Sequence, residues 1–148
     1  MLTVNRLDLA DAQAMIAAAW ARAEHMGVPT CLAVTDESGT LIAFERMDGA
    51  KTIGVSIAID KAFTATGTRK ATHELSPAVQ PGAPAFGLTS AHGGRMMVLA
   101  GGVPVLVDGV VIGGIGASTG TSTGTSTGTP DQDREVAEAG VKAFTAPA

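Results

Sequence analysis

The chain has 148 residues, of which 45% are hydrophobic and 16% are charged, and its net charge is −4. The negative charge, the aromatic content of 3% and the absence of tyrosine exclude a nucleic-acid-binding surface, which needs cationic and stacking side chains. The single cysteine excludes an internal disulfide framework and a multi-cysteine metal site.

We expect one domain over residues 1–148, in the cytoplasm and without a membrane partner. No apolar run has the length of a membrane span, and the N-terminal residues lack the basic-then-apolar layout of a signal peptide. The low charge content leaves an apolar surplus, which indicates a subunit interface in a homo-oligomer.

The first elements follow from hydrophobic spacing. Apolar residues three and four apart predict a helix that is capped by Asp8 and runs to Met26, with Gly27 as its stop. Alternating residues predict a strand over 30–36 and a hairpin partner over 40–47.

The second half of the chain is predicted to begin with two helices, over 53–66 and 72–79, and a strand over 96–100. A β-hairpin follows, turning at Asp108-Gly109, a pair that supplies the positive φ angles of a two-residue turn. Thr129, Pro130 and Gln132 have the spacing of a capped helix start, and that helix runs to Phe144. The order is therefore αββααβββα, an α+β fold in which helices cover an antiparallel sheet.

Glycines follow the hairpin turn at positions 113, 114 and 116. They resemble a dinucleotide-binding fingerprint only loosely, because no helix follows them directly. We interpret them instead as places where another backbone approaches closely.

Several segments together resemble the GlcG/HbpS family, also described as haem-degrading-domain proteins. The resemblance covers nearly the whole chain in order, in the segments VP (28–29), DESG (36–39), FERMDG (44–49), IAIDKA (57–62), GGR (93–95), GGVP (101–104), VDG (107–109), GGIG (113–116) and QD (132–133). It implies a profilin-like fold that assembles into homo-oligomers, from dimers up to octamers. Some members of the family bind haem, and others are fused to corrinoid-processing enzymes.

The chain departs from this family pattern at one place. Between the last strand and the last helix it carries a Ser-Thr-Gly-Thr tract, over about 118–129, where relatives have a short link. Thr119 and Thr121 in this tract are candidate ligand-binding residues, because hydroxyls and glycine amides can cradle an anion at a helix start. The alternative is a mobile lid or an inter-subunit loop, since such repeats are typical of flexible sequence.

Two histidines are the candidates for haem iron or proton chemistry. Imidazole ligates iron and titrates near neutral pH, and His73 and His92 both lie in predicted loop or short-helix positions. Glu74, next to His73, is a candidate proton partner. The alternative for each histidine is a solvated side chain that bonds to backbone.

The remaining candidates bind acidic groups. Lys61 lies on the apolar stripe of its helix and either extends to the edge of the core or pairs with a carboxylate. Arg95 follows Gly93 and Gly94, and its guanidinium suits a carboxylate or a haem propionate.

These residues support two hypotheses. The first is a homo-oligomeric protein that binds haem, or a related small ligand, in a redox or catabolic accessory role. The second is a cofactor-free isomerase, lyase or hydrolase that acts on a small hydroxy- or oxo-acid. In that enzyme Lys61 or Arg95 holds the carboxylate, a histidine moves the proton, and the 118–129 loop is a lid.

Overall fold

The structure is a computed structural model that describes residues 1–144. Its elements, in chain order, are α1 (Leu9–Met26), β1 (Thr30–Asp36), β2 (Leu41–Arg46), α2 (Gly54–Thr68), α3 (Thr72–Leu75), α4 (Ala91–Gly94), β3 (Gly102–Val107), β4 (Val110–Thr119) and α5 (Pro130–Ala143). A 3₁₀ turn follows α3, and another precedes the short α4. The predicted caps are present: Asp8 accepts a hydrogen bond from the Asp11 amide, and Thr129 accepts one from the Gln132 amide.

One antiparallel sheet, in the order β2-β1-β4-β3, forms the middle layer. Side chains alternate along the central strand β1, so that Leu32 and Val34 face the cluster of α1 and α5 while Cys31 and Ala33 face α2. Every residue of β1 is buried, because helices cover both faces of the sheet there. The predicted fold class, helices covering an antiparallel sheet, is confirmed.

The strand predicted over residues 96–100 is wrong, and within residues 1–144 the sheet has four strands instead of five. Side chains of neighbouring helices bind this segment's backbone in place of a strand. The Thr64 hydroxyl accepts the Met97 amide at 2.8 Å, and the Thr72 hydroxyl donates to the Leu99 carbonyl at 2.5 Å. The segment is therefore fixed as an irregular connection between the helices and β3.

The glycines of β4 allow α2 to lie directly on the sheet. A Cβ atom at Gly116 would collide with the Ala58 carbonyl oxygen, and one at Gly114 would lie 2.5 Å from the Thr66 hydroxyl. The hairpin before them turns at Asp108 and Gly109, which have φ angles of 51° and 77°. The interpretation of these glycines as close-packing positions is confirmed.

We predict that Gly116→Ala destabilises the protein by about 3 kcal/mol, because the new methyl group must push α2 away from the sheet. Urea unfolding measures the change in the free energy of unfolding.

Gly67→Ala is the matched control. This glycine also lies in α2, but a Cβ there would meet nothing within 4 Å. The control variant should gain about 0.5–1 kcal/mol from helix propensity. Equal urea concentrations at the unfolding midpoints of the two variants would contradict the close-contact explanation.

Candidate functional site

A cleft opens where α2, the end of β4 and the start of α5 meet. Its open volume is about 450 Å³. We call it the polar cleft, and it is lined by Lys51, Ile57, Lys61, Leu99, Ser118, Thr127, Gly128, Thr129, Pro130 and Asp133.

A buried ion pair forms the floor of the polar cleft. The Lys61 ammonium donates to the Asp133 carboxylate at 2.6 Å and to the Ala117 carbonyl at 2.9 Å. The Lys61 side chain is 1% exposed and that of Asp133 is 13% exposed. The expectation that Lys61 pairs with a carboxylate is therefore met by Asp133, which lies 72 positions further along the chain.

The second oxygen of Asp133 binds the end of β4. It accepts hydrogen bonds from the Thr119 amide at 2.7 Å and from the Thr119 hydroxyl at 2.6 Å. The capped start of α5 places Asp133 within reach, since the Asp133 amide donates to the Thr129 carbonyl in the first helical turn. The hydroxyl of Thr119, a candidate ligand-binding residue, therefore donates its proton to a hydrogen bond within the protein.

Burial lowers the pKa of Lys61 below its ordinary value, against the opposing attraction of Asp133, which raises it. An ammonium group has three N–H donors, and the described contacts use two of them. One donor of Lys61 is therefore available to the polar cleft.

Lys51 and Ser118 also line the polar cleft, and no sequence pattern singles out either. Lys51 donates from its ammonium to the Thr127 carbonyl at 2.6 Å. Ser118 is 4% exposed and contributes a hydroxyl to the cleft wall. In the sequence Ser118 is the first residue of the repetitive tract, so the repeat conceals its separate position at the cleft.

A second groove adjoins the polar cleft and shares Leu99 and Pro130 with it. Its open volume is about 520 Å³, and its other lining residues are His73, Ser76, Val98, Ala100 and Asp131. We call it the His73 groove. The Nδ1 atom of His73 is buried and has no hydrogen-bond partner in the described part of the chain.

Glu74 has a structural task. Its carboxylate accepts the Ala71 amide at 2.8 Å and so caps α3. No hydrogen bond joins it to His73 in the described residues, so its assignment as a proton partner stays a prediction.

His92 and Arg95 lie together and contact α2 at Phe63, away from the polar cleft. The Arg95 guanidinium donates to Asp60 at 3.0 Å and stacks over the Phe63 ring at 3.9 Å, while His92 meets the same ring edge-on at 5.4 Å. The exposed Gly93 and Gly94 belong to this surface. The structure therefore separates His92 and Arg95 from the two grooves that contain His73 and Lys61.

The Ser-Thr-Gly-Thr tract begins inside β4, which extends to Thr119. The next residues fold back on themselves, with the Thr121 amide donating to the Ser126 carbonyl at 2.8 Å. Ser118 at the start of the tract and residues 127–129 at its end line the polar cleft, and residues 119–126 do not. Thr121 lines a separate shallow groove beside Thr52 and Ile53. The role of the tract as a lid or an inter-subunit loop stays a prediction.

Residues 1–144 contain no group of three or more His, Cys, Asp or Glu side chains arranged to hold a metal ion. None of the helices that the structure describes combines the length and the hydropathy needed to cross a membrane.

Comparison with known proteins gives a consistent result. A family model described as haem degrading protein HbpS-like matches residues 7–142. A Citrobacter freundii protein, described as an uncharacterized 15.0 kDa protein in the dhaT-dhaS intergenic region, is 37% identical over 142 residues, which cover 96% of this chain and 94% of that protein.

Two further similarities connect this fold to larger proteins and to haem. The corrinoid adenosyltransferase PduO of Salmonella typhimurium is 35% identical over 138 residues, which cover 93% of this chain but only 39% of PduO. A crystal structure of a PduOC:heme complex superimposes with a TM-score of 0.84 at 34% identity, over 94% of this chain and 95% of that one.

We predict that Lys61→Met and Asp133→Asn each destabilise the protein by about 3–5 kcal/mol, because each change leaves its partner charge buried and unpaired. The double variant should lose less than the sum of the two, with a coupling of at least about 1 kcal/mol. Urea unfolding of the four proteins measures the cycle.

The control cycle uses Arg134 and Glu138, an exposed pair one turn apart on α5. Arg134→Met and Glu138→Gln should show almost no coupling, because water screens exposed pairs. Additive losses in the Lys61–Asp133 cycle would show that the two charges do not stabilise each other.

Proposed function

This chain belongs to the HbpS-like family, and we propose on that basis that it binds haem, or a related planar cofactor, as a redox or catabolic accessory protein. The family match over residues 7–142 and the PduOC:heme complex support the choice of ligand. The observation on this chain that carries the proposal is the position of His73 in the lining of a largely apolar groove, with an Nδ1 atom that no described residue binds.

The residues of the His73 groove fit a haem group. Val98, Leu99, Ala100 and Pro130 supply apolar contact for a porphyrin ring. Imidazole nitrogen is a common axial ligand of haem iron, and His73 is the histidine that lines this groove. His73 is therefore the proposed iron ligand, and His92, which lies against Phe63, is not.

Bound haem would supply a redox-active iron. The chain's own part is to hold the ring against the apolar wall and to fix the imidazole on α3. Thr72, the first residue of α3, is buried and hydrogen-bonded to the Leu99 carbonyl. That bond joins α3 to the segment opposite it, so the two walls of the His73 groove are held at a fixed separation.

We predict that the purified protein gives a saturable Soret shift on titration with hemin. His73→Ala should weaken binding at least about tenfold, which is about 1.4 kcal/mol, or change the Soret position, because the iron loses its ligand. His92→Ala is the matched control and should leave both the affinity and the spectrum unchanged. The absence of a saturable shift, or an identical titration for His73→Ala, would overturn the proposal.

We also infer that the chain forms a homo-oligomer, between a dimer and an octamer. Large apolar side chains stand exposed on several surfaces, among them Ile53, Phe86, Leu99, Leu106 and Val110. Such side chains are typical of surfaces that another subunit covers. Sedimentation velocity over a range of concentrations should show a mass that is a multiple of 14.8 kDa. A single species of 14.8 kDa at every concentration would contradict the inference.

A further inference from the structure

The charges of the polar cleft do not balance. Two cationic side chains, Lys51 and Lys61, line it, and Asp133 is the one carboxylate in its lining. No other charged side chain of residues 1–144 lines this cleft. One positive charge is therefore in surplus, in a place partly shielded from water, which favours a monoanion.

Hydrogen-bonding groups also line the polar cleft. Ser118 is 4% exposed and adds a hydroxyl to the cleft wall. Two of the three donors of the Lys61 ammonium bind Asp133 and the Ala117 carbonyl, and the Lys51 ammonium donates to the Thr127 carbonyl. The third donor of Lys61, the other donors of Lys51 and the Ser118 hydroxyl give the cleft the groups that bind a small polar anion.

The walls of the polar cleft limit the size and the character of that ligand. Ile57 and Leu99 are apolar and suit a short carbon chain, and the open volume of about 450 Å³ includes solvent at the mouth. The Ser118 hydroxyl at the cleft wall can donate to an oxygen on the carbon next to the carboxylate, or accept from it.

We propose that the polar cleft binds a short 2-hydroxy- or 2-oxo-carboxylate. Lys51 and the free donor of Lys61 hold the carboxylate, and Ser118 holds the oxygen next to it. Asp133 keeps Lys61 in place while its own oxygens are occupied by Lys61 and Thr119. The inference goes beyond haem binding and does not depend on His73.

A haem propionate carries the same carboxylate group, and the polar cleft adjoins the His73 groove. The two sources differ in one respect: a propionate has no oxygen on the carbon next to its carboxylate, so it has no use for Ser118. The experiment therefore compares ligands with and without that oxygen, on protein free of haem.

Isothermal titration with glycolate, lactate, pyruvate and acetate tests the proposal. Glycolate, lactate or pyruvate should bind saturably, at least tenfold more tightly than acetate. Ser118→Ala should remove this preference, while Lys51→Met should lower the affinity for every acid. These two variants carry the test because Lys61→Met removes a partner of the structural ion pair. Ser122→Ala and Lys70→Met, which change exposed residues outside the polar cleft, are the matched controls and should bind like the unaltered protein.

Two results would overturn the proposal. One is the absence of saturable binding for all the acids, or equal binding of glycolate and acetate. The other is a loss of hemin affinity in Lys51→Met without any acid binding, which would make the polar cleft the propionate end of a haem site. Hemin binding that fails altogether, together with acid binding that depends on Ser118, would remove the haem proposal and leave this one standing.

Discussion

The buried pair of Lys61 and Asp133 joins three elements that are far apart in sequence. Lys61 comes from the middle of α2, Asp133 from the first turn of α5, and both bind the end of β4 through Ala117 and Thr119. Burying two charges costs desolvation energy that their attraction only partly returns. The pair therefore specifies position more than it adds stability, because only one placement of α5 against α2 satisfies both charges.

Small residues make this pairing geometrically possible. Gly101 lies beside the pair with a φ of 115°, where a Cβ atom would stand 2.8 Å from the Ala117 carbonyl and 3.1 Å from the Lys61 ammonium. Gly116 brings the α2 backbone down onto β4 at the level of Ala58, one turn before the lysine. The glycines that resembled a nucleotide-binding fingerprint thus allow a helix to approach a sheet, and the approach brings a buried cation into a cleft.

Local sequence patterns predicted those elements that are determined by interactions between residues close together in the sequence. The helix capped by Asp8 and the strand over 30–36 follow from spacing and capping alone, and the structure has both. The strand over 96–100 failed because its backbone partners are hydroxyls of Thr64 and Thr72, which no pattern within the segment encodes. An apolar run indicates burial, and the neighbouring elements decide what its amides bind.

The candidate site could be predicted only in part, for a related reason. His73 and His92 are the same residue type, and their local sequences do not show which of them lines a groove; the three-dimensional course of the chain places them on different surfaces. Lys61 was recognisable as a charge on an apolar stripe, but its partner could not be chosen among the carboxylates from spacing. The position of Ser118 beside the cleft depends on the extension of β4 into the repetitive tract, which the sequence pattern does not indicate.

The repetitive tract can now be divided by what its parts contact. Its start is part of β4 and is held by Asp133, its end caps α5, and the Thr127 carbonyl receives Lys51 between them. The middle of the tract makes hydrogen bonds within itself and lines neither of the two grooves. Because residues 127–129 line the polar cleft and none of the tract lines the His73 groove, changes in this tract act on the polar cleft first. The tract, which we expect to distinguish this chain from its relatives, therefore lies beside the ammonium of Lys51, where the proposed anion would enter.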